Sequence, residues 1–173
     1  MATRDLTMRA ISLVIFVLVL ARPGVAQRYK PPRFEDYPTS GRFEGKPAPV
    51  DLRSHPQARK FRTLLRDSVK SGANFARHYV VNYWGCGTEC IRVGIVDLET
   101  GRAYIAPFFT SFGTTYRINS RLFLVEPKEK LNEVFGPEVP QAIHTRYYLW
   151  SSNRLVLIHP KNERNDKAEN YWK

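Results

Sequence analysis

The spacing of apolar residues predicts mainly β-strands from residue 77 onward. Aromatic and β-branched side chains dominate residues 77–84 and 91–97, which is typical of strands that are half-buried in a sheet. Residues 97–101 then predict a tight hairpin turn, with Gly101 at a left-handed position, and a third strand over 102–107. Two further hairpins share an Arg-Leu-x-Leu-aliphatic run after their turns. Their strands are predicted at 116–118 and 121–125, and at 147–150 and 154–158.

A different period before Gly72 predicts one amphipathic helix over 54–71. Ser54 followed by Gln57 is a capping-box pattern, and Gly72 is a natural stop. One side of this helix is apolar and is formed by Ala58, Phe61, Leu64, Leu65 and Val69. The roughly opposite side is basic and carries Arg59, Arg62, Arg66 and Lys70.

These elements together predict an α+β fold. We expect an antiparallel β-sheet of about seven strands, connected as β-meander hairpins, with the amphipathic helix packed on it. Residues 129–135, which Gly136 and Pro137 follow, are compatible with an additional short helix. The domain is predicted over 45–160, after an extended Pro-rich segment at 27–44 and before a charged flexible tail at 161–173.

The N-terminus has the organisation of a cleaved signal peptide over 1–26. Arg4 and Arg9 precede an apolar stretch of 11 residues, and Gly24-Val25-Ala26 provides the small side chains that a signal peptidase reads. A bilayer-spanning helix needs about 20 apolar residues, so we expect cleavage before Gln27 and no stable membrane span afterwards. The predicted mature chain of 147 residues is long enough for one domain with its own core.

The composition is strongly basic. The chain has 27 Lys and Arg residues against 16 Asp and Glu residues, a formal charge of +11 that becomes +9 without the leader. A basic surface favours anionic partners and raises the rate of encounter with them. The expected partner of an exported chain is therefore an anionic envelope component or an acidic protein, and nucleic acid is not expected. Solubility alone is the other explanation of the charge.

The only two cysteines lie four positions apart in the glycine-rich segment Trp84-Gly85-Cys86-Gly87-Thr88-Glu89-Cys90. In an oxidising compartment, two nearby thiols tend to form a disulfide. A bond that closes about five residues contributes on the order of 2 kcal/mol by chain entropy. Its expected role is therefore to shape this loop and to display Thr88 and Glu89.

Two other interpretations of the cysteines stay open. Cys86 could be a nucleophile with His78 as its base, since His78 lies on the preceding predicted strand and glycine-flanked amides could form an oxyanion hole. His78, Cys86 and Cys90 could instead hold a metal, although the Cys-x-x-x-Cys spacing is looser than that of usual zinc sites. The sequence contains no phosphate-binding glycine loop and no hydrolase or zinc-protease motif. We therefore expect no cofactor and no metal.

Five segments of the sequence carry a resemblance. They are GKPAPVDL at 45–52, ARKFRT at 58–63, NFARHY at 74–79, WGCGTEC at 84–90 and IVDLETG at 95–101. Together they resemble a family of uncharacterised exported proteins of Gram-negative bacteria, and WGCGTxC is the most specific block. Similar sequences often have Gly where this chain has Arg77. The resemblance implies export to the periplasm or the medium and a shared fold, and it assigns no activity.

These observations favour an exported, non-enzymatic binding protein with a basic surface and a disulfide-shaped loop. An enzyme that uses Cys86 with His78 is the alternative. The candidate ligand contacts are Trp84, Thr88 and Glu89 in the loop, and Arg59, Arg62, Arg66 and Lys70 on the predicted helix.

Overall fold

A computed structural model of the chain describes residues 30–159. The predicted signal peptide and the predicted charged tail lie outside this range. Within it, seven strands and two short helices form. The helices are α1 (Arg62–Ser68) and α2 (Lys128–Phe135). The strands are β1 (Tyr79–Gly87), β2 (Cys90–Asp97), β3 (Ala103–Thr110), β4 (Thr114–Tyr116), β5 (Leu122–Val125), β6 (Arg146–Ser151) and β7 (Arg154–His159).

The strands form two antiparallel sheets, with the orders β1-β2-β3 and β4-β5-β6-β7. The broad α+β class, the seven strands and the hairpin connections are confirmed, but the prediction of one sheet is wrong. A turn after β3 separates the sheets. In this turn, Thr110 Oγ1 donates to the Gly113 carbonyl at 2.9 Å, and the Gly113 N–H donates back to Thr110 Oγ1 at 2.8 Å. The chain leaves this turn along a new direction, so that β4 pairs with β5 and not with β3.

Consecutive residues of β1 and β2 point to opposite faces, and both faces of their sheet are covered. Val81 and Ile95 belong to a core cluster that joins the two sheets and includes Phe123 and Tyr148 of the second sheet. Val80 and Val96, one position away in each strand, belong to a second cluster on the other face. Leu65 of α1 is buried in this second cluster. The three-stranded sheet therefore forms the middle of the domain.

The prediction of a helix over 54–71 is wrong in its first half, and the packing of one amphipathic helix on a single sheet is not confirmed. The additional short helix that residues 129–135 were compatible with forms as α2. Residues 52–61 form turns and bends, and α1 begins at Arg62. Ser54 does not act as a helix cap. Its hydroxyl accepts the N–H of Ala103 at 2.8 Å and donates to the Asp51 carbonyl at 2.6 Å. The bond to Ala103, 49 positions away, ties the segment to β3, and the bond to Asp51 is local. Together they replace the capping box. Gly72, with φ of +75°, does end the helical region.

The segment between Ser54 and α1 contains a histidine whose ionisation opposes folding. Burial lowers the pKa of His55, and its Nδ1 accepts the N–H of Gln57 at 3.2 Å. In the unfolded chain the imidazole titrates at about pH 6.5. The folded state therefore binds fewer protons, and the contribution of His55 to stability is complete above that pH and decreases as the pH falls through it.

We expect His55→Asn to reduce the acid sensitivity of the fold, because asparagine retains an acceptor near the position of Nδ1 and does not titrate. The free energy of unfolding of the variant, measured in urea from pH 8 to pH 5, should decrease less than that of the parent. The comparison at pH 8 is the internal control, since both side chains are neutral there. An identical decrease in both proteins would assign the acid sensitivity to other groups.

The predicted Pro-rich segment contains a short 3₁₀ turn at Phe34–Asp36 and is otherwise irregular within the described range. It is held by the turn between β4 and β5. The hydroxyl of Ser120 donates to the Phe34 carbonyl at 2.8 Å, and the N–H of Arg121 donates to the Tyr37 carbonyl at 2.9 Å. This part of the N-terminal segment is therefore docked on the four-stranded sheet.

Candidate functional site

The tip of the β1–β2 hairpin, residues 84–91, is built around the disulfide. Cys86 and Cys90 are bonded, as predicted, with their Cα atoms 5.1 Å apart. Gly87 pairs with Cys90, and a register shift between Gly85 and Gly87 makes Cys86 the extra residue of a bulge. Gly87 has φ of +138°, which favours glycine. Thr88 and Glu89 form the turn and are exposed, so the bulge and the disulfide together fix a small protruding loop.

The structure does not bring Cys86 and His78 together. His78 immediately precedes β1 and Cys86 lies near its other end. Because a strand rises by about 3.3 Å per residue, their Cα atoms are separated by roughly 25 Å. The sulfur of Cys86 is also in the disulfide. The geometry therefore supports neither the thiol-enzyme alternative nor a metal site formed by His78, Cys86 and Cys90.

His78 instead lies beside two carboxylates that the sequence analysis assigned to a turn. Its Nε2 is 3.6 Å from Asp97 Oδ1, and its Nδ1 is 3.8 Å from Glu99 Oε1, a donor set that a divalent cation can use. Other groups of the protein already interact with the two carboxylates. Asp97 accepts the hydroxyl of Thr100 at 2.7 Å and the N–H of Glu99 at 2.9 Å, and Arg77 Nη2 lies 3.1 Å from Glu99. The cluster therefore closes the β2–β3 turn against the start of β1.

Arg77 occupies a backbone position that suits glycine. Its φ is +76°, and that of Ala76 is +39°. The N–H of Arg77 donates to the Ile118 carbonyl at 2.7 Å, and its carbonyl accepts the N–H of Phe43 at 3.0 Å. These bonds hold the left-handed conformation, which glycine adopts without strain.

The four basic residues predicted on one helix side lie in three different local structures. Arg59 belongs to the turns before α1, Arg62 and Arg66 lie in α1, and Lys70 lies in the 3₁₀ turn that follows. All four are exposed. Lys70 Nζ is 2.6 Å from Asp67 Oδ1, which compensates its charge locally. We call residues 59–70 the basic segment.

An aromatic contact brings the basic segment and the hairpin tip together. The rings of Phe61 and Trp84 lie 4.5 Å apart between their centroids, at an angle of 38°. The side chain of Asn82 also donates to the Leu64 carbonyl at 3.3 Å. Two features that the sequence placed on separate elements are thus neighbours on one surface. This adjacency depends on the packing of α1 on β1 and has no signature in the local sequence.

A hollow of about 370 Å³ lies where the two features meet, and we call it the cationic hollow. Two of its residues are basic and none is acidic. Arg92 donates to Gln57 Oε1 at 3.2 Å, and Lys60 Nζ lies 5.6 Å from the centre of the Phe61 ring. The lining residues are Gln57, Lys60, Phe61, Trp84, Gly85, Cys86 and Arg92.

Sequence reasoning missed Lys60 and Arg92 as parts of this surface, and it also missed the buried Gly94 behind it. Arg92 is the cross-strand partner of Trp84, and directly opposite residues share one face of a sheet. The register of the β1–β2 hairpin would therefore have identified Arg92. Gly94 makes room for the indole, because a Cβ at this position would lie 2.7 Å from the Trp84 ring.

Comparison with protein-family models, with curated proteins and with solved structures finds no match for this chain. The resemblance to exported proteins therefore stays a prediction. Within residues 30–159, neither helix has the length and hydropathy that crossing a bilayer requires.

Proposed function

We propose that this protein is an exported, non-enzymatic binding protein that holds an anionic ligand on the surface formed by the basic segment and the hairpin tip. The observation that supports this proposal is the contact between Phe61 and Trp84. Because of it, the cations of the basic segment and the disulfide loop face solvent side by side and can touch one ligand together.

The charges of this surface are suited to an anion. Arg59, Arg62 and Arg66 are exposed on the basic segment, and Lys60 and Arg92 line the adjacent hollow. Like charges that are grouped on one face produce a positive potential, which attracts anions at long range. Arginine forks also bind carboxylate, sulfate and phosphate groups in two-point contacts. An anionic polymer of the envelope or an acidic protein surface offers several such groups in series.

The hairpin tip contributes rigidity to the proposed site. The disulfide, the bulge at Cys86 and the two-residue turn restrict the loop before any ligand arrives. A loop that is already ordered loses less conformational entropy on binding, and its affinity is correspondingly higher. Disulfides form and persist mainly in oxidising compartments, which is compatible with the predicted leader. We therefore place the binding in the periplasm or outside the cell.

Charge reversal on the basic segment tests the proposal. The protein is expressed with its own leader, recovered from the periplasm and titrated with a heparin oligosaccharide. The triple variant Arg59→Glu, Arg62→Glu and Arg66→Glu should bind at least about tenfold more weakly, which corresponds to about 1.4 kcal/mol. The salt dependence of its affinity should also be smaller, because fewer charges are screened in the complex. In the parent, the indole N–H resonance of Trp84 should shift during the titration.

A second triple variant provides a matched control with the same change in net charge. Arg102, Arg121 and Arg154 are exposed and lie at the turns of the other hairpins. Their replacement by glutamate should lower the affinity by about threefold or less, since only the long-range field changes. Equal losses in the two triple variants would show that net charge alone attracts heparin. An unchanged affinity in both variants would also overturn the proposed site.

A further inference from the structure

A second hollow, of about 590 Å³, shares no lining residue with the cationic hollow, although Phe109 of its lining is the cross-strand partner of Arg92 in the cationic hollow. Its volume is within the range of small-molecule sites. It is formed by the end of β3 and the loop after it, by β6 and β7, by the loop before β6 and by the turn of the β1–β2 hairpin. We call it the aromatic hollow. Its lining residues are Glu89, Pro107, Phe108, Phe109, Ser111, Phe112, Glu126, Ala142, Ile143, His144, Arg146, Tyr148 and Leu157.

The aromatic side chains give this hollow an apolar floor and an exposed wall. Phe108 and Tyr148 stack with their ring centroids 4.8 Å apart and form a buried floor. Phe112 is held edge-on by Phe135 of α2, with the ring centroids 5.1 Å apart. Phe109 is 53% exposed although it lines a concavity. A large apolar side chain exposed in a concave surface is typical of a binding site.

One cation, Arg146, is held at the polar side of the hollow. Its Nη2 donates to the Phe109 carbonyl at 3.3 Å, and its guanidinium carbon lies 5.4 Å from the centre of the Phe108 ring. Its side chain is 25% exposed. A guanidinium has five N–H donors in a planar fork. After the bond to Phe109, the fork therefore keeps donors for an oxygen that enters the hollow.

Glu126 forms only a long ion pair with Arg146, which offsets part of the guanidinium charge. The nearest approach between the two side chains is 3.9 Å. The Glu126 carboxylate instead accepts the N–H groups of Ser111 and Phe112, both at 3.0 Å. These bonds organise the loop after β3 that forms one wall of the hollow. They also provide the Glu126 carboxylate with hydrogen bonds that do not involve the Arg146 guanidinium. The φ of Glu126 is +54°, which is unfavourable for a residue with a side chain.

We infer that the aromatic hollow binds a small amphipathic anion, with its carboxylate on Arg146 and its apolar part against Phe109, Phe112 and Leu157. The concave apolar wall binds the hydrocarbon part of the anion, and the Arg146 guanidinium binds its carboxylate. Glu89 is the one other acidic residue of the lining and is exposed, so solvent screens its repulsion. Binding of this anion does not depend on the anion-binding surface of the proposed function, although Glu89 belongs both to the hairpin tip and to this lining.

Calorimetric titration with decanoate, below its micelle concentration, tests the inference on the mature protein. Decanoate should bind at one site, and decyltrimethylammonium, which has the same chain and the opposite charge, should bind at least tenfold more weakly. Arg146→Gln should remove this preference, and Arg146→Lys should retain part of it. Phe109→Ser should weaken the binding of decanoate about tenfold, and because Phe109 is exposed this variant should keep the near-ultraviolet circular dichroism of the parent.

Leu64→Ser and Arg154→Gln serve as matched controls, since both residues are exposed and lie outside the hollow. They should bind decanoate as the parent does. Equal affinities for the two amphiphiles, or a preference that survives Arg146→Gln, would overturn the role of the fork. Full binding by Phe109→Ser would overturn the site itself. Should Arg146→Gln fail to fold, the Arg146→Lys and Phe109→Ser variants decide the result.

Discussion

Replacement of Phe75 by alanine is expected to lower the free energy of unfolding by about 3 to 5 kcal/mol, the range for a fully buried aromatic residue. Phe75 has no exposed surface. Its ring lies within 6.4 Å, between centroids, of Tyr79, Tyr116, Phe123 and Trp150. These neighbours come from the start of β1 and from three strands of the second sheet. Removal of the ring therefore leaves a cavity at the junction of the two sheets.

Urea unfolding followed by far-ultraviolet circular dichroism measures this effect. Phe109→Ala is the matched control, because it removes the same atoms from a side chain that is 53% exposed. We expect the control to lose about 1 kcal/mol, since roughly half of this side chain is already in contact with water. Similar losses in the two variants would contradict the central position of Phe75. The loss for Phe75→Ala is a large fraction of the stability of a typical domain.

Replacement of Gly101 by alanine is expected to lower the free energy of unfolding by about 2 to 5 kcal/mol. Two effects add. The φ of Gly101 is +75°, and this conformation destabilises residues with a Cβ by about 1–2 kcal/mol. A Cβ at position 101 would also overlap the carbonyl oxygen of Pro49, and relief of such overpacking costs about 1–3 kcal/mol. The backbone there has little freedom, because the Gly101 carbonyl accepts the N–H of Asp51 at 2.8 Å.

Gly113→Ala separates these two effects. Gly113 also has a positive φ, of +91°, but no atom lies within 4 Å of a Cβ built at that position. The control should therefore incur only the conformational cost, about 1–2 kcal/mol. The difference between the two variants, measured as the midpoint of urea unfolding, reports the overlap with Pro49. A Gly101→Ala variant as stable as Gly113→Ala would contradict the close approach of the segment before α1 to this turn.

The local sequence predicted those parts of the fold that depend on local chemistry. The Asp97–Gly101 turn forms as expected because Asp97 accepts hydrogen bonds from Glu99 and Thr100 within the turn. The β6–β7 turn also forms as predicted. Its residues Ser152 and Asn153 have φ of +49° and +58°, and both residue types tolerate left-handed backbone. The β4–β5 hairpin is less accurate, since β4 ends at Tyr116 and the prediction extended it to residue 118.

The long-range contacts produced the errors. Ser54 and Gln57 satisfy a helix-capping pattern, yet Ser54 bonds to β3, and Gln57 accepts from Arg92 of β2. A short stretch of sequence contains no information on such distant partners, so its pattern favours the local helix cap. Phe75 was missed as a core residue for a related reason. It lies in an irregular segment before β1, where no helical or strand period marks a buried position.

The candidate site was likewise predicted only where it depends on local sequence. The disulfide pair and the exposed turn of Thr88 and Glu89 were predicted correctly because they depend on residues within one hairpin. Their role as ligand contacts, like that of Arg59, Arg62, Arg66 and Lys70, stays a prediction. The hollow between the basic segment and the hairpin tip could not be predicted, since Lys60 and Arg92 are 32 positions apart.

The sequence alone determined the strand and turn pattern, the pairing of the two cysteines and the basic character of the chain, because period, turn chemistry and charge are properties of neighbouring residues or of composition. The tertiary structure alone decided that the strands divide into two sheets, that the first predicted helical turns are bound to β3, and that Phe61 lies on Trp84. It also decided that a cation and four aromatic rings surround one hollow. These features depend on contacts between residues far apart in the chain. Such contacts form only when the folded backbone has brought the residues together, so no local sequence pattern indicates them.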